Sequence, residues 1–95
     1  MSDKKTFAFN INDIVQVKLT DRGRYQLRKN RDDFWADIGR KPPHAYAPPK
    51  EDADGWSSWQ LWYLMAQLGK QCGAGLPLPF ETTIRIQAKD LEAQP

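Results

Sequence analysis

The amino-acid sequence predicts one small α+β domain, in which an antiparallel sheet packs against two helices. Segments near 7–11, 14–19 and 82–87 alternate apolar with polar residues, as half-buried strands do. Two longer segments, near 21–38 and 58–68, repeat apolar residues with the period of a helix. The chain has 95 residues, of which 40% are hydrophobic, which is enough for one core and a single domain over 1–95.

The clearest strand signal lies over 14–19. Val15, Val17 and Leu19 alternate with polar residues and are rich in β-branched side chains. We therefore expect these three side chains to face the core. Segments 7–11 and 82–87 are expected to join the same small sheet, one face of which the helices cover.

The first predicted helix covers 21–38. Thr20 is suited to cap its N-terminus, because a threonine hydroxyl can accept a bond from a backbone N–H two or three residues later. Leu27, Phe34 and Ile38 fall on one stripe of the helix, which we expect to be buried. Gly39 is a typical C-terminal stop.

A proline-rich loop follows over 40–55. The pairs Pro42-Pro43 and Pro48-Pro49 exclude both a helix and a central strand there, and favour an extended conformation. A loop of this length in so small a domain is typically functional or partly disordered.

The second predicted helix covers 58–68. Ser57 and Gln60 have the spacing of a capping box, and Trp56 and Leu61 that of a hydrophobic staple. Apolar residues would then form two stripes on this helix. One stripe consists of Leu61, Leu64, Met65 and Leu68, and the other of Trp59, Trp62, Tyr63 and Ala66.

An SH3-like small barrel with a helical insertion is the alternative fold, since a strand, a polar turn and a second strand open many such barrels. Residues 1–5 and 88–95 are polar, and we expect them to be flexible tails.

Composition argues against several classes of function. A single Cys and a single His exclude a disulfide within the chain and a zinc site built from these residue types. We see neither a secretory signal nor a segment long enough to span a membrane, so we expect a cytoplasmic protein. His44 lies between two proline pairs, where a catalytic imidazole is hard to orient, and we expect it to be an exposed loop residue.

Other candidate chemistry is equally weak. The acidic cluster Glu51, Asp52 and Asp54 could hold a hard cation but lacks the spacing of a calcium loop, so solvated charge is the favoured interpretation. Cys72 follows a helix C-terminus, which disfavours a thiolate, and it is interpreted as a small packing residue. We expect no enzyme activity, no metal and no cofactor.

Charge placement raises nucleic-acid binding as an alternative function. Residues 1–41 carry ten Lys/Arg and six Asp/Glu, whereas residues 42–95 carry four and six. Five cations, which would form the contact surface, lie within ten residues of the first helix: Arg22, Arg24, Arg28, Lys29 and Arg31. Because they are spread around the helix and diluted by nearby acids, a solvated helix is the simpler interpretation.

Protein binding is the leading functional hypothesis. Three of the four tryptophans fall between residues 56 and 62, more aromatic surface than a small domain readily buries. The proline-rich loop, over 42–49, offers a second contact surface. The predicted partner-binding residues are Trp59, Trp62, Tyr63, Pro43, Tyr46 and Pro48.

Two stretches of the chain resemble a family of short accessory proteins, without a settled activity, encoded by tailed phages and prophages. The first stretch runs from Phe9 to Thr20 and is followed by Gly23. The second, within 54–86, contains Asp54-Gly55-Trp56, Trp59-Gln60-Leu61-Trp62, Met65, Gly69, Pro79-Phe80-Glu81, Ile84 and Ile86. The resemblance implies a phage gene product that acts in the cytoplasm of an infected bacterium, and it brings no catalytic residues. We therefore expect a non-enzymatic protein that binds a host protein or complex, or a second copy of itself as a homodimer.

Overall fold

The computed structural model describes residues 6–73 and 75–94 and has an α+β architecture. The predicted tail over 1–5 lies outside the described residues. The strands are β1 (Thr6–Phe9), β2 (Ile14–Lys18), β3 (Trp56–Gln60), β4 (Arg85–Ile86) and β5 (Leu91–Gln94), and the helices are α1 (Asp21–Asp37) and α2 (Leu61–Leu68). Single 3₁₀ turns cover Gly69–Gln71 and Ala88–Asp90.

The strands form two separate antiparallel sheets. A three-stranded sheet has the order β3-β2-β4, and a two-stranded ribbon joins β1 to β5. The prediction that segment 7–11 joins the sheet of β2 is therefore wrong. Within the predicted tail over 88–95, residues 88–94 form a 3₁₀ turn and β5. Neither sheet closes into a barrel within the described ranges, so the SH3-like alternative is not the fold.

The core lies between one face of the three-stranded sheet and the two helices. The face is buried at Val15 and Val17 of β2 and at Leu19, which directly follows the strand, as the alternation predicts. The buried side chains that complete the core are Leu27, Trp59, Leu64 and Leu68. Each such side chain contributes roughly 1.5–3 kcal/mol relative to exposure.

Helix α1 begins as the sequence predicts. The Thr20 hydroxyl accepts a hydrogen bond from the Gly23 N–H at 3.2 Å, and Gly39 has a positive φ of 69° just beyond the helix. The predicted stripe is only partly buried, because Leu27 is in the core whereas Phe34 and Ile38 are exposed. Seventeen residues of helix span about 25 Å, longer than a five-residue strand of about 17 Å, so the C-terminal half of α1 extends past the sheet.

The prediction of a capping box at Ser57 is wrong. Residues 56–60 form β3, which pairs antiparallel with β2 from Lys18↔Trp56 to Ile14↔Gln60. Helix α2 therefore begins at Leu61, and Gln60 is its N-cap without a side-chain cap bond.

The two stripes predicted for the second helix are also rearranged. Leu64 and Leu68 are buried, as expected, but Met65 is exposed. Trp59 lies on a strand and not on the helix. Cys72 is exposed, so its interpretation as a packing residue is wrong.

Candidate functional site

A groove of about 1250 Å³ separates the C-terminal half of α1 from β3. Its outer wall is the proline-rich strap, by which we mean residues 42–52. Helix α1 supplies the second wall, and β3 with α2 supplies the floor. The lining combines apolar, aromatic and proline side chains with a few polar groups, which is the usual character of a binding site.

Helix α1 is held at the groove by a contact with α2. The Asn30 side-chain amide donates to the backbone carbonyl oxygen of Gln67 at 2.8 Å. One turn further along α1, Phe34 and Trp35 pack edge to face, with ring centroids 5.5 Å apart. Both rings line the groove, so the exposed end of α1 presents aromatic surface to it.

The middle of the strap, at Tyr46, is attached to α1. The guanidinium groups of Arg28 and Arg31 lie 5.4 and 5.7 Å from the centre of the Tyr46 ring, within the range of cation–π attraction. Arg31 also donates to the backbone carbonyl oxygen of His44. Two α1 cations therefore bind the strap through one aromatic ring.

A second attachment lies at Glu51. Arg24 donates two parallel hydrogen bonds to the Glu51 carboxylate, at 2.8 and 3.0 Å, and a third bond to Asp21. These bonds from Arg24 hold the pKa of Glu51 below its usual value, and the pKa of Arg24 is raised in return.

The strap ends in a turn organised by Asp52. One carboxylate oxygen of Asp52 accepts from the backbone N–H groups of Asp54 and Trp56, both at 2.9 Å. These bonds, led by the one from Trp56, lower the pKa of Asp52. Gly55 has a positive φ of 92°, which this turn requires and which glycine adopts without strain.

The floor of the groove is fixed by Trp59. Its indole N–H donates to the Ser57 hydroxyl at 2.7 Å, and that hydroxyl donates to the Val17 carbonyl oxygen at 3.2 Å. The Trp59 ring stacks on Tyr63 with centroids 6.0 Å apart. Only 8% of Trp59 is exposed, against 44% of Tyr63, so a buried ring supports an accessible one.

The outer face of the sheet carries a polar network that the sequence did not reveal. Arg85 of β4 donates to the Gln16 side-chain oxygen at 2.7 and 3.1 Å, and Gln16 donates to the Ser58 hydroxyl at 3.2 Å. The Arg85 guanidinium also lies 4.1 Å from the centre of the Trp56 ring. Only the cross-strand register, which pairs Gln16 with Arg85 and with Ser58, brings these residues together.

The structure brings most of the predicted partner-binding residues to one place. Pro43, Tyr46, Trp59 and Tyr63 all line the groove, although they are separated by up to twenty positions in the sequence. Trp59 belongs to the core and is buried, whereas Tyr63 beside it is accessible. Two further predicted residues, Trp62 and Pro48, are exposed but do not line the groove.

The five cations predicted for nucleic-acid binding do not form one open basic surface. Arg24, Lys29 and Arg31 form ion pairs with Glu51, Asp33 and Asp32, respectively. The remaining two pack on aromatic rings, Arg22 over Tyr25 and Arg28 over Tyr46.

The other candidate residues are found in ordinary environments. His44 is exposed on the strap, as predicted. Within residues 6–73 and 75–94, no group of three or more His, Cys, Asp or Glu side chains is placed to hold a metal ion, and Glu51 and Asp52 make the contacts described above. No helix in this part of the chain is long and apolar enough to cross a membrane.

Comparisons with protein-family models, with curated proteins and with solved structures find no match to this chain.

Proposed function

We propose that this protein is a non-enzymatic binding module that takes a segment of another protein into the groove between α1, the strap and β3. The observation that carries the proposal is the accessible ring of Tyr63, supported from beneath by Trp59 and facing a groove lined with proline and aromatic side chains. Tyrosine and tryptophan in such positions are the residue types that contribute most to protein–protein affinity.

The shape of the groove favours a chain segment over a small molecule. Pockets for small ligands typically enclose about 300–1,000 Å³, whereas this groove is larger and open to solvent. Its length follows the strap from Pro42 to Asp52, which suits an elongated ligand.

The resemblance to phage accessory proteins supplies the biological setting of the proposal. In that setting the partner is a protein of the infected bacterium, met in its cytoplasm. Nucleic-acid binding through α1 has weaker support, because three of its five cations are already paired with carboxylates and the other two pack on aromatic rings.

The test begins with a displayed library of random 12-residue peptides, selected against the intact protein. We expect enriched peptides that bind the wild type and lose about thirtyfold in affinity for Tyr63→Ser, since a tyrosine hot spot contributes about 2 kcal/mol. Titration calorimetry with one enriched peptide measures this loss.

The matched control is Tyr25→Ser. Tyr25 is an exposed tyrosine on α1 that does not line the groove, so its removal should leave peptide affinity within about twofold. Equal losses in the two variants, or a library that yields no binder, would contradict the proposed function.

A further inference from the structure

One edge of the three-stranded sheet is open, and it faces the groove. Among the strands of the described residues, β3 pairs with β2 on one side and with none on the other. Backbone groups of an antiparallel strand point alternately to its two sides, and Ser57 and Trp59 lie on the side of β2. Trp56, Ser58 and Gln60 therefore direct their backbone groups away from β2, and all three line the groove.

The contacts of Trp56 show that the open edge of β3 accepts an extended chain. The Trp56 carbonyl oxygen accepts from the Asp52 N–H at 2.9 Å, and the Trp56 N–H donates to the Asp52 carboxylate. The strap thus begins a hairpin on the free edge of β3. In the register set by Asp52 and Trp56, Lys50 would lie opposite Ser58 and Pro48 opposite Gln60.

That hairpin does not continue. No backbone hydrogen bond joins Lys50 to Ser58, or Pro48 to Gln60, in the described chain. Pro48, opposite Gln60 in this register, has no N–H to donate, and the strap runs instead along α1, where Tyr46 contacts Arg28 and Arg31. The Ser58 N–H, the Ser58 carbonyl and the Gln60 N–H are left facing the groove, whereas the Gln60 carbonyl belongs to the N-cap of α2.

We propose that the partner segment binds as an added β-strand, hydrogen-bonded through its main chain to Ser58 and Gln60 of β3. This inference rests on the proposed function and deepens it, because it names the conformation of the ligand. An unpaired strand edge is a ready template for an extended peptide, whose main chain provides affinity while alternate side chains provide specificity.

The two faces of the sheet define which side chains the peptide needs. The peptide residue opposite Ser58 points to the outer face, towards the polar network of Gln16 and Arg85. Its two neighbours point inward, towards Trp59, Tyr63 and Phe34. We therefore expect apolar residues at the inward positions and a polar residue between them.

The test uses an enriched 12-residue peptide from the library selection. Amide hydrogen exchange of the protein is measured by NMR with and without saturating peptide. We expect the Ser58 and Gln60 amides to exchange at least about tenfold more slowly in the complex, since each gains a hydrogen bond. The Ser57 and Trp59 amides, already directed at β2, serve as internal controls and should change less.

A backbone N-methyl scan of the same peptide is the second measurement. Methylation removes one donor at a time, and only alternate residues of an added strand donate to β3. Because the Ser58 carbonyl is the β3 acceptor left open to the groove, we expect a loss of about tenfold or more at the peptide residue opposite Ser58 and little loss at its two neighbours.

The outcomes separate this inference from the proposed function. A peptide that depends on Tyr63, but neither protects Ser58 and Gln60 nor has one position that is sensitive to N-methylation between two tolerant ones, overturns strand addition and leaves the binding function standing. Absence of any Tyr63-dependent peptide removes both. Protection of Ser58 that rises with protein concentration alone would assign the edge to a second copy of the chain and overturn the inference.

Discussion

Gly23, in the first turn of α1, lies directly against the backbone of the chain before β4. A Cβ at this position would lie 1.9 Å from the carbonyl oxygen of Pro79. That same oxygen accepts a bond from the Thr20 N–H at 3.0 Å, and the Thr20 hydroxyl donates to the Leu78 carbonyl oxygen at 2.6 Å. The first turn of α1 is therefore packed against backbone that cannot easily move.

Replacing Gly23 with alanine should destabilise the protein, although alanine is the better helix former. Overpacking against backbone costs about 1–3 kcal/mol or more, which exceeds the gain of up to about 1 kcal/mol in helix propensity. Urea unfolding measures the difference. The control is Gly69→Ala, where a Cβ would meet only Met65 at 3.9 Å, and an equal loss there would contradict the packing argument.

Trp59 and Trp62 show how far the environment of a single residue can be predicted from the sequence. Both were predicted on one apolar stripe of a helix, yet Trp59 is 8% exposed and Trp62 is 42% exposed. The difference arises because α2 begins after Trp59, so the two residues belong to different elements. Local spacing cannot show this, since it depends on pairing with β2 from more than forty positions away.

Among the elements, β2 and α1 were predictable because each carries its own signal. Strict alternation marks β2, and the Thr20 cap with Gly39 marks the ends of α1. Strand β3 was not predictable, since Ser57 and Gln60 mimic a capping box and the segment is poor in β-branched residues. Its strand conformation comes from tertiary pairing, which overrides local preference.

The candidate site was predictable in its residue types and not in its assembly. The abundance of Trp and Tyr and the proline pairs indicated a binding surface. The groove itself depends on the strap lying along α1, through Tyr46 and Glu51, and no local pattern encodes those contacts. The open edge of β3 was missed together with the strand.

The attachment of the strap should depend on pH through Glu51. Its folded-state pKa is lowered, chiefly by the hydrogen bonds from Arg24, from an ordinary value of 4.5. The stability it contributes is therefore fully present above pH 4.5 and is lost as pH falls through the lower, folded-state pKa. Arg24 stays charged throughout, because its own pKa is raised.

A double-mutant cycle of Glu51→Gln and Arg24→Gln measures this effect. Unfolding by urea should give a coupling of about 0.5 kcal/mol at pH 6, as for partly exposed pairs, and a smaller coupling at pH 2. A coupling of equal size at the two pH values would show that charge on Glu51 does not hold the strap.

At the scale of the whole molecule, the chain is elongated. It measures 56 × 29 × 28 Å, and its radius of gyration is 16.2 Å, against about 12 Å for a compact domain of this length. Within residues 6–73 and 75–94 the β1–β5 ribbon pairs with no further strand, whereas the core lies on the three-stranded sheet. Two-stranded ribbons are marginally stable in isolation.

The ribbon should therefore open without unfolding of the core. We expect backbone amides of β1 and β5 to exchange at least about tenfold faster than those of Val15 and Val17, because local opening there breaks few buried contacts. Hydrogen exchange followed by NMR gives both rates. Equal protection in ribbon and core would mean that Phe9, which packs against the core, couples the two into one cooperative unit.

The two attachments of the strap affect the free energy of binding of any ligand in the groove. Tyr46 holds the strap midway, and Glu51 with Asp52 holds it beside β3, so the loss of loop entropy is already complete when the chain has folded. A bound peptide segment then loses only its own conformational entropy. A preorganised groove of this kind gives higher affinity than a loop that must first close around its ligand.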